Sequence, residues 1–388
     1  MIRKSFKYEL FPTETQKVLI EQHFGCCRFV YNWGLEQKIK AYELNQKITC
    51  FDLIKQLTVL KRKEEYIWLK DVYSQSLQMS IRNLDNAFTT FFKAQNKFPR
   101  FKSKHNSRKS YQCPQKVKIY FENNLIQIPK IKKVKAAIHR KFEGRIKTCT
   151  ISKTSTSRYF ISMLVASTNE LPIKPDVKKE TSIGIDLGIK DYLITSEGLK
   201  IDNPKYLRTS EQRLKVLQRR FSKSKRKTKR REKLRTLLSK HHEKVTNQRK
   251  DFLHKLTYKL THEKQVDTIC IEDLNIKGML KNHCLAKSIS DASWSKFISF
   301  LFYKCDWYGK NLIKIGRFEP SSKLCSNCGK YYKELKLSER VWKCSECNEE
   351  HDRDINAAKN IKKFGLIPKL GLEDTGSSIN KAFLSGSR

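Results

Sequence analysis

The sequence predicts an α/β chain in two parts. An α/β domain interrupted by a four-cysteine ribbon is preceded by a small β-barrel or curved sheet that carries a helical insertion. Three observations predict it. In Ser182-Ile183-Gly184-Ile185-Asp186-Leu187-Gly188, apolar residues alternate with Gly184, Asp186 and Gly188. That is the period of a strand with one apolar face and one nearly bare face bearing a carboxylate. Between residues 116 and 167, short alternating runs recur with turns between them, the spacing of a small antiparallel barrel or curved sheet. Cys325-Ser326-Asn327-Cys328 and Cys344-Ser345-Glu346-Cys347 form two matched Cys-x-x-Cys pairs with fifteen residues between them.

Composition bounds the function. A length of 388 residues accommodates two or three domains, each with its own core. The 81 Lys and Arg against 39 Asp and Glu leave a net charge of +42, far beyond what solubility needs, and the natural partner is a polyanion. With 38% hydrophobic and 11% aromatic residues the chain is globular rather than a disordered basic tail. No run of eighteen apolar residues occurs and the segment Met1 to Glu9 lacks an apolar signal core, so a cytosolic protein with no membrane partner is expected. Twelve cysteines fit one metal site plus buried thiols better than a disulfide framework.

In chain order, residues 2 to 10 read as a strand that ends at Phe11-Pro12. Thr13-Glu14-Thr15-Gln16 has the spacing of a capping box and starts a helix near Glu14. Helices follow around Leu53 to Lys63 and from Ser74 to about Gln95, where Leu77, Ile81, Leu84, Phe88 and Phe91 line a core-facing stripe. Lys97 to Lys104 breaks that pattern with Pro99 and interleaves cations, Arg100, Lys102 and Lys104 among them, with Phe98 and Phe101. This mixture suits phosphate contact with base stacking, or equally a solvated loop. Strands are expected at 117–121, 126–128, 146–151 and 159–165, completed by the strand near residue 5. Leu171 to Pro175 is a linker. After the Asp186 strand, Tyr192 to Thr195 and Leu199 to Ile201 flank Ser196-Glu197-Gly198 and form a meander.

Between Arg213 and Lys259 there are nineteen Lys or Arg and three acids, with Leu234, Leu238, Val245, Phe252, Leu256 and Leu260 at helical intervals. Two basic helices joined near residues 222–230 are predicted. Their cations, including Arg219, Arg220, Lys225, Arg226, Lys229, Arg230 and Arg231, are read as nucleic-acid contacts, because one-sided charge this dense needs an offsetting polyanion.

A second strand ends at Glu272, and in His351-Asp352-Arg353-Asp354-Ile355-Asn356-Ala357-Ala358 a helix begins with Asp354 in its first turn. Asp186, Glu272 and Asp354 suit two Mg²⁺ ions, hard cations shared with a substrate phosphate. Such ions, about 3.5–4 Å apart, support phosphodiester hydrolysis. Asp352 and Asp354 also fit a plain helix cap. The bare face of the first strand reads as space for a metal ion and phosphate to approach the backbone. Actin-like and chaperone ATPases open with a similar strand, but they need further glycine-rich phosphate loops, and none of the 14 glycines cluster after Glu272. Cys325, Cys328, Cys344 and Cys347 have the spacing of a closed tetrahedral Zn²⁺ site, and Lys323 beside the first knuckle is a further candidate contact to nucleic acid.

Gly-Ile-Asp-Leu-Gly, the basic helices, Ile-Glu-Asp-Leu, Ser321-Ser322-Lys323-Leu324-Cys325-Ser326-Asn327-Cys328-Gly329 and Asp-Arg-Asp-Ile-Asn-Ala-Ala occur in an order that resembles the TnpB/OrfB proteins of bacterial insertion sequences. These are RuvC-like nucleases related to the type V CRISPR effectors. The resemblance extends to Phe24-Gly25 through Tyr31-Asn32 and to Phe98-Pro99-Arg100-Phe101-Lys102. It implies a wedge barrel from 1–12 and 110–172, a helical recognition insertion at 13–109, and a RuvC-like nuclease domain over 181–388. That last domain would hold basic helices at about 205–263 and a zinc ribbon at about 318–350; the Gly-Ser-Ser and Ser-Gly-Ser runs of 371–388 read as a disordered tail.

The resemblance further implies Asp186, Glu272 and Asp354 as the catalytic acids and a guide RNA derived from the transposon end. It implies double-strand cleavage of target DNA beside a short adjacent motif, in the bacterial cytosol and nucleoid, with a monomer favoured. Delegating sequence recognition to base pairing suits a protein that grips both strands mainly by their phosphates. The alternatives are a guide-independent DNA transposase or recombinase, and a catalytically silent RNA-guided DNA-binding protein.

Overall fold

The computed structural model describes residues 2–105, 109–168, 170–263, 265–336 and 339–370. The expectation of a disordered tail at 371–388 lies outside the described residues. Two compact units are present, Met1–Glu170 and Leu171–Arg388.

The first unit runs β1 (Arg3–Phe11), α1 (Glu14–Glu43), α2 (Cys50–Leu60), a 3₁₀ segment (Glu64–Lys70) and α3 (Ser74–Phe92). Strands β2 (Lys109–Cys113), β3 (Lys118–Tyr120), β4 (Leu125–Ile128), β5 (Lys132–Ala137), β6 (Arg145–Lys153) and β7 (Tyr159–Ala166) follow. The expected capping box forms: the Thr13 hydroxyl accepts from Gln16 N at 3.4 Å and Thr13 N donates to Gln16 Oε1 at 3.1 Å. The strands make one antiparallel sheet in the order β2-β6-β7-β1-β5-β4-β3, with β1 clamped between β7 and β5. The first strand therefore completes the sheet, and the helices are an excursion between it and β2. Among the described residues the end strands β2 and β3 do not pair with each other, so they do not close the sheet into a barrel. Tyr8, Ile126, Val134, Ile151 and Ile161 of the sheet share one core with Ile20, Val30, Leu53, Leu57, Leu77 and Ile81 of the helices.

The second unit begins with β8 (Ser182–Asp186), β9 (Asp191–Thr195) and β10 (Lys200–Asp202), then α4 (Tyr206–Lys223) and α5 (Lys229–Tyr258), which runs on into a π-helical turn (Lys259–Glu263). Next come β11 (Thr268–Glu272), α6 (Ile276–Met279), α7 (His283–Ala292), α8 (Trp294–Trp307) and β12 (Asn311–Ile315). The chain continues through β13 (Val341–Lys343) and β14 (Glu350–Asp352) to α9 (Arg353–Leu370). The main sheet has the order β10-β9-β8-β11-β12: β8, β11 and β12 are parallel, and β9 and β10 form the antiparallel meander. Ile183, Ile185, Ile269 and Ile271 point to one side and pack with Leu253, Leu256, Phe297 and Leu301 of α5 and α8. Cys270 and Ile315 point to the other side and meet Ile361 of α9. Helices thus cover both faces of this sheet.

Gly184 corrects one expectation. A Cβ built there would lie 1.9 Å from Ala358 O and 2.7 Å from Lys362 N, both backbone atoms of α9. The bare face of β8 admits the helix that carries Asp354, not a ligand. Gly188 is likewise filled by its own turn, with Asp191 O 2.6 Å from the position of a Cβ.

Candidate functional site

Asp186 ends β8 and Glu272 ends β11. The last registered pair of these parallel neighbours is Ile185 with Ile271, so the two carboxylates emerge side by side at the same sheet edge. Asp354 comes from the first turn of α9, which lies against β8 and β11. Burial pushes the Asp186 carboxyl up from its ordinary 3.8 to about 7, and the charges of Glu272 and Asp354 push in the same direction. The three acids therefore form one electrostatic site. The Arg353 charge and a backbone hydrogen bond from Leu187 pull the other way without offsetting the burial.

The other two acids have partners. Ser321 Oγ donates to Glu272 Oε1 at 2.5 Å. Arg340 Nη1 reaches both oxygens of Asp354 at 2.9 and 3.1 Å, and Arg353 Nη2 lies 3.1 Å from Oδ1. Asp352 and Asp354 divide the roles the sequence left open. Asp352 Oδ1 accepts from the backbone N–H groups of Asp354 and Ile355 at 3.0 and 3.1 Å and caps α9, while its other oxygen pairs with Lys200 at 2.6 Å. Asp354 is free of capping duty.

The four cysteines converge. Cys325, Cys328, Cys344 and Cys347 place their sulfurs within 4.8 Å of one another. The first knuckle closes through Gly329 N to Cys325 O at 3.0 Å with Gly329 at φ 79°; the second closes through Asn348 N to Cys344 O at 3.0 Å with Asn348 at φ 58°. Each turn needs a left-handed residue just after its second cysteine, and Gly and Asn are the residues that tolerate it. Four thiol donors in this grouping fit a structural metal such as Zn²⁺. Hairpin β13–β14 supports the second knuckle, with Trp342 opposite His351. His351 Nε2 lies 3.0 Å from Cys325 Sγ.

The predicted nucleic-acid residues divide. Arg219, Arg220, Lys225, Arg226, Lys229 and Arg230 are exposed along α4, the connecting turn and the start of α5. Arg231 is not held outward: its Nη1 donates to Phe221 O at 2.9 Å and Ser224 O at 2.7 Å, and its guanidinium stacks over Phe221. It braces the turn. Lys323 Nζ is similarly engaged with Lys333 O at 2.9 Å. In the first unit, Arg100 and Lys104 are exposed, whereas the Lys102 ammonium sits 3.7 Å over the Tyr31 ring and its backbone exchanges two hydrogen bonds with the Asn32 amide. Of the two rings in this segment, Phe98 packs edge-on against Phe88 and Phe91, and both it and Phe101 remain exposed.

Ser321, His351 and Asn356 lie within the motifs singled out above and Arg340 and Asn360 outside them, and none of the five was given a role at the site, yet all bear on it. The available signal was two asparagines four residues apart on the otherwise apolar Ala357-Ala358-Ile361 face, since buried amides demand partners.

Comparison with known proteins adds the following. Residues 162–283 match the OrfB_IS605 family, described as "Probable transposase"; residues 294–361 match "Cas12f1-like, TNB domain". Residues 1–47 match a "Helix-turn-helix domain" of the same OrfB_IS605 group, although here they form a strand and one long helix. A protein of Streptomyces pristinaespiralis named "Putative RNA-guided DNA endonuclease" is 38% identical over 94% of this chain and 90% of its own length. InsQ of Escherichia coli K12, which bears the same description, is 29% identical over 93% of this chain and 92% of its own. The fold is similar to the protein in a cryo-EM structure of a Cas12f1–sgRNA–target DNA complex. The TM-score is 0.57 at 14% identity, covering 93% of this chain and 98% of that one.

Proposed function

The chain belongs to the OrfB/TnpB family of insertion-sequence proteins, and from that premise we propose that it is an RNA-guided, Mg²⁺-dependent DNA endonuclease with a RuvC-like site. The observation that carries this reading is that Asp186 and Glu272 leave one sheet edge side by side and that Asp354, from the first turn of α9, is close enough for its charge, with that of Glu272, to help raise the Asp186 carboxyl. Asp186, Glu272 and Asp354 would hold two Mg²⁺ ions. When bound, these would activate water and stabilise the leaving oxygen of a phosphodiester.

The chain's own part is to preset the ligands. Strands β8 and β11 fix two carboxylates in parallel register, α9 brings the third, and the Ser321 hydroxyl holds one oxygen of Glu272. Asp186 must lose its proton to serve, so cation binding draws it from a mixture of protonation states near neutrality to the carboxylate. Arg340 and Arg353 occupy Asp354 meanwhile, and a cation there competes with them.

The partners proposed are a guide RNA derived from the transposon end and double-stranded target DNA read beside a short adjacent motif, with the protein acting as a monomer in the cytosol. Exposed cations on α4 and α5 support backbone contact. Among the described residues no helix is long and apolar enough to cross a membrane. The "Probable transposase" description of the matched family favours one competing reading, guide-independent strand transfer.

The test is a cleavage assay with protein purified from cells carrying its native locus. Mg²⁺-dependent cutting that is lost on ribonuclease treatment and in Asp186→Ala supports the proposal. Cutting or joining that survives ribonuclease points to the transposase, and residual cutting by Asp186→Ala removes the site assignment.

A further inference from the structure

Helix α9 touches the first cysteine knuckle through two buried amides. Asn356 and Asn360 are 1% and 0% exposed and lie one turn apart on the same face. Asn356 brackets Cys325: its Oδ1 accepts from Ser326 N at 2.8 Å and its Nδ2 donates to Leu324 O at 2.7 Å. Asn360 Nδ2 donates to Leu324 O at 2.6 Å and to Ser321 O at 2.8 Å. Asn360 Oδ1 is buried without a hydrogen-bond partner, so this amide is oriented by its two donor bonds alone. The same Ser321 gives its hydroxyl to Glu272. From the other side, His351 reaches Cys325 Sγ, and the next residue, Asp352, caps α9 just ahead of Asp354.

Cys325 is therefore held between the two chain segments that serve the second and third carboxylates. Six hydrogen bonds tie the first knuckle and the residues leading into it to α9, to His351 and, through the Ser321 hydroxyl, to Glu272; only the last touches a carboxylate proposed to hold Mg²⁺. Buried amides bonded in this way have few alternative arrangements, because turning either one would strip the Leu324 and Ser321 carbonyls of their donors. A knuckle that opens would release Leu324 and Ser321, and with them the register of α9 against β11.

We propose that Asn356 and Asn360 are positioning residues that couple the cysteine ribbon to the acid site, so that zinc loading raises the affinity of Asp186, Glu272 and Asp354 for divalent cations. The inference rests on the metal roles proposed above. By linkage the coupling is reciprocal: a divalent cation at the acids must slow the loss of zinc from the cysteines. Mn²⁺, which prefers oxygen donors over thiolates, reports the acid site without occupying the ribbon.

The experiment uses full-length, zinc-loaded protein and reads two quantities independent of cleavage: Mn²⁺ affinity, from the electron paramagnetic resonance of free Mn²⁺, and the rate of zinc release to a chromogenic chelator. The parent protein is expected to bind Mn²⁺ in a manner abolished by Asp186→Ala and to release zinc more slowly when Mn²⁺ is present. Asn356→Ala and Asn360→Ala should weaken Mn²⁺ binding by about 5- to 150-fold, the usual range of coupling between sites, and should speed zinc release. Lys359→Ala, exposed on the same helix, should change neither.

Ser321→Ala removes only the hydroxyl link to Glu272 and serves where the asparagine variants do not fold; it should weaken Mn²⁺ binding while zinc release stays near the parent rate. Asp186-dependent Mn²⁺ binding that has no effect on zinc release, or that is unchanged in the folded variants, overturns the coupling alone. Absence of any Asp186-dependent Mn²⁺ binding in the parent overturns the metal assignment and the coupling with it.

Discussion

Replacing Asp186 by Asn should stabilise the metal-free protein, and the effect should depend on pH and on Mg²⁺ in a defined direction. Asp186 has a folded-state pKa near 7 against an ordinary 3.8. Its folded form therefore binds a proton more tightly than the unfolded form does. The stability associated with this proton is fully present below about pH 4 and is lost as pH rises through about 7. The full difference corresponds to about 4 kcal/mol at 1.36 kcal/mol for each tenfold change. An amide of the same shape has no charge to desolvate and no repulsion with Glu272 and Asp354.

At pH 8 in EDTA, Asp186→Asn should accordingly unfold about 8–16 °C above the parent, using about 2–4 °C per kcal/mol for a unit of this size. At pH 4.5 the two should be close. Millimolar Mg²⁺ should raise the midpoint of the parent and leave the variant nearly unmoved, because only the parent has the buried Asp186 charge for the ion to relieve. Differential scanning calorimetry over this pH series supplies the check. Equal midpoints at pH 8, or a gap that is widest at low pH, would refute the reasoning.

Other expectations follow from particular interactions. At Mg²⁺ concentrations well below saturation, cleavage should fall by up to about tenfold per pH unit below pH 7, as protons compete with the ion for Asp186, and a pH–rate profile that is flat between pH 5.5 and 7 under those conditions contradicts this. Gly184→Ala drives a Cβ into Ala358 O and Lys362 N, and overpacking of this kind costs about 1–3 kcal/mol or more. Chemical denaturation should show that loss, together with weaker Mg²⁺ binding because α9 carries Asp354. Cys325→Ser should lower zinc content to well below one equivalent by atomic emission, and full retention removes the cysteine assignment. Replacing the exposed Arg219, Arg220, Lys225 and Arg226 by Ala should flatten the salt dependence of nucleic-acid binding by about 0.9 for each phosphate that is no longer neutralised, whereas a slope identical to the parent's places the backbone-binding cations elsewhere.

Much of the chain's architecture was legible because each local pattern had one dominant physical cause. The alternation around Asp186, the capping box at Thr13, the basic amphipathic helices and the matched Cys-x-x-Cys turns are recovered as β8, α1, α4 with α5, and the sulfur cluster. What escaped was set by tertiary packing. Strand β5 reads as Lys132-Lys133-Val134-Lys135-Ala136-Ala137, whose exposed lysines mask the buried Val134 and Ala136. Helix α8 and strand β12 lie between stronger signals, although α8 supplies Phe297 and Leu301 to the core.

Gly184 was legible as a residue without a side chain, but nothing local says whether a ligand or a helix fills the space, and it is α9 that does. Arg231 and Lys323 share the composition of the exposed cations around them, and only the fold shows that Phe221, Ser224 and Lys333 take them up. The hydrogen bonds that join Asn356 and Asn360 with Ser321, Leu324 and Ser326 span 30 or more residues and have no local signature.

The measurement that bears most directly on the account is cleavage of a plasmid matched to the RNA that co-purifies with the protein. It should be run beside an unmatched plasmid, with Mg²⁺ or EDTA, for the parent and for Asp186→Ala. A double-strand break is expected in the matched plasmid alone, present with Mg²⁺ and absent with EDTA or the substitution. Equal cutting of both plasmids, or cutting by Asp186→Ala, would contradict it.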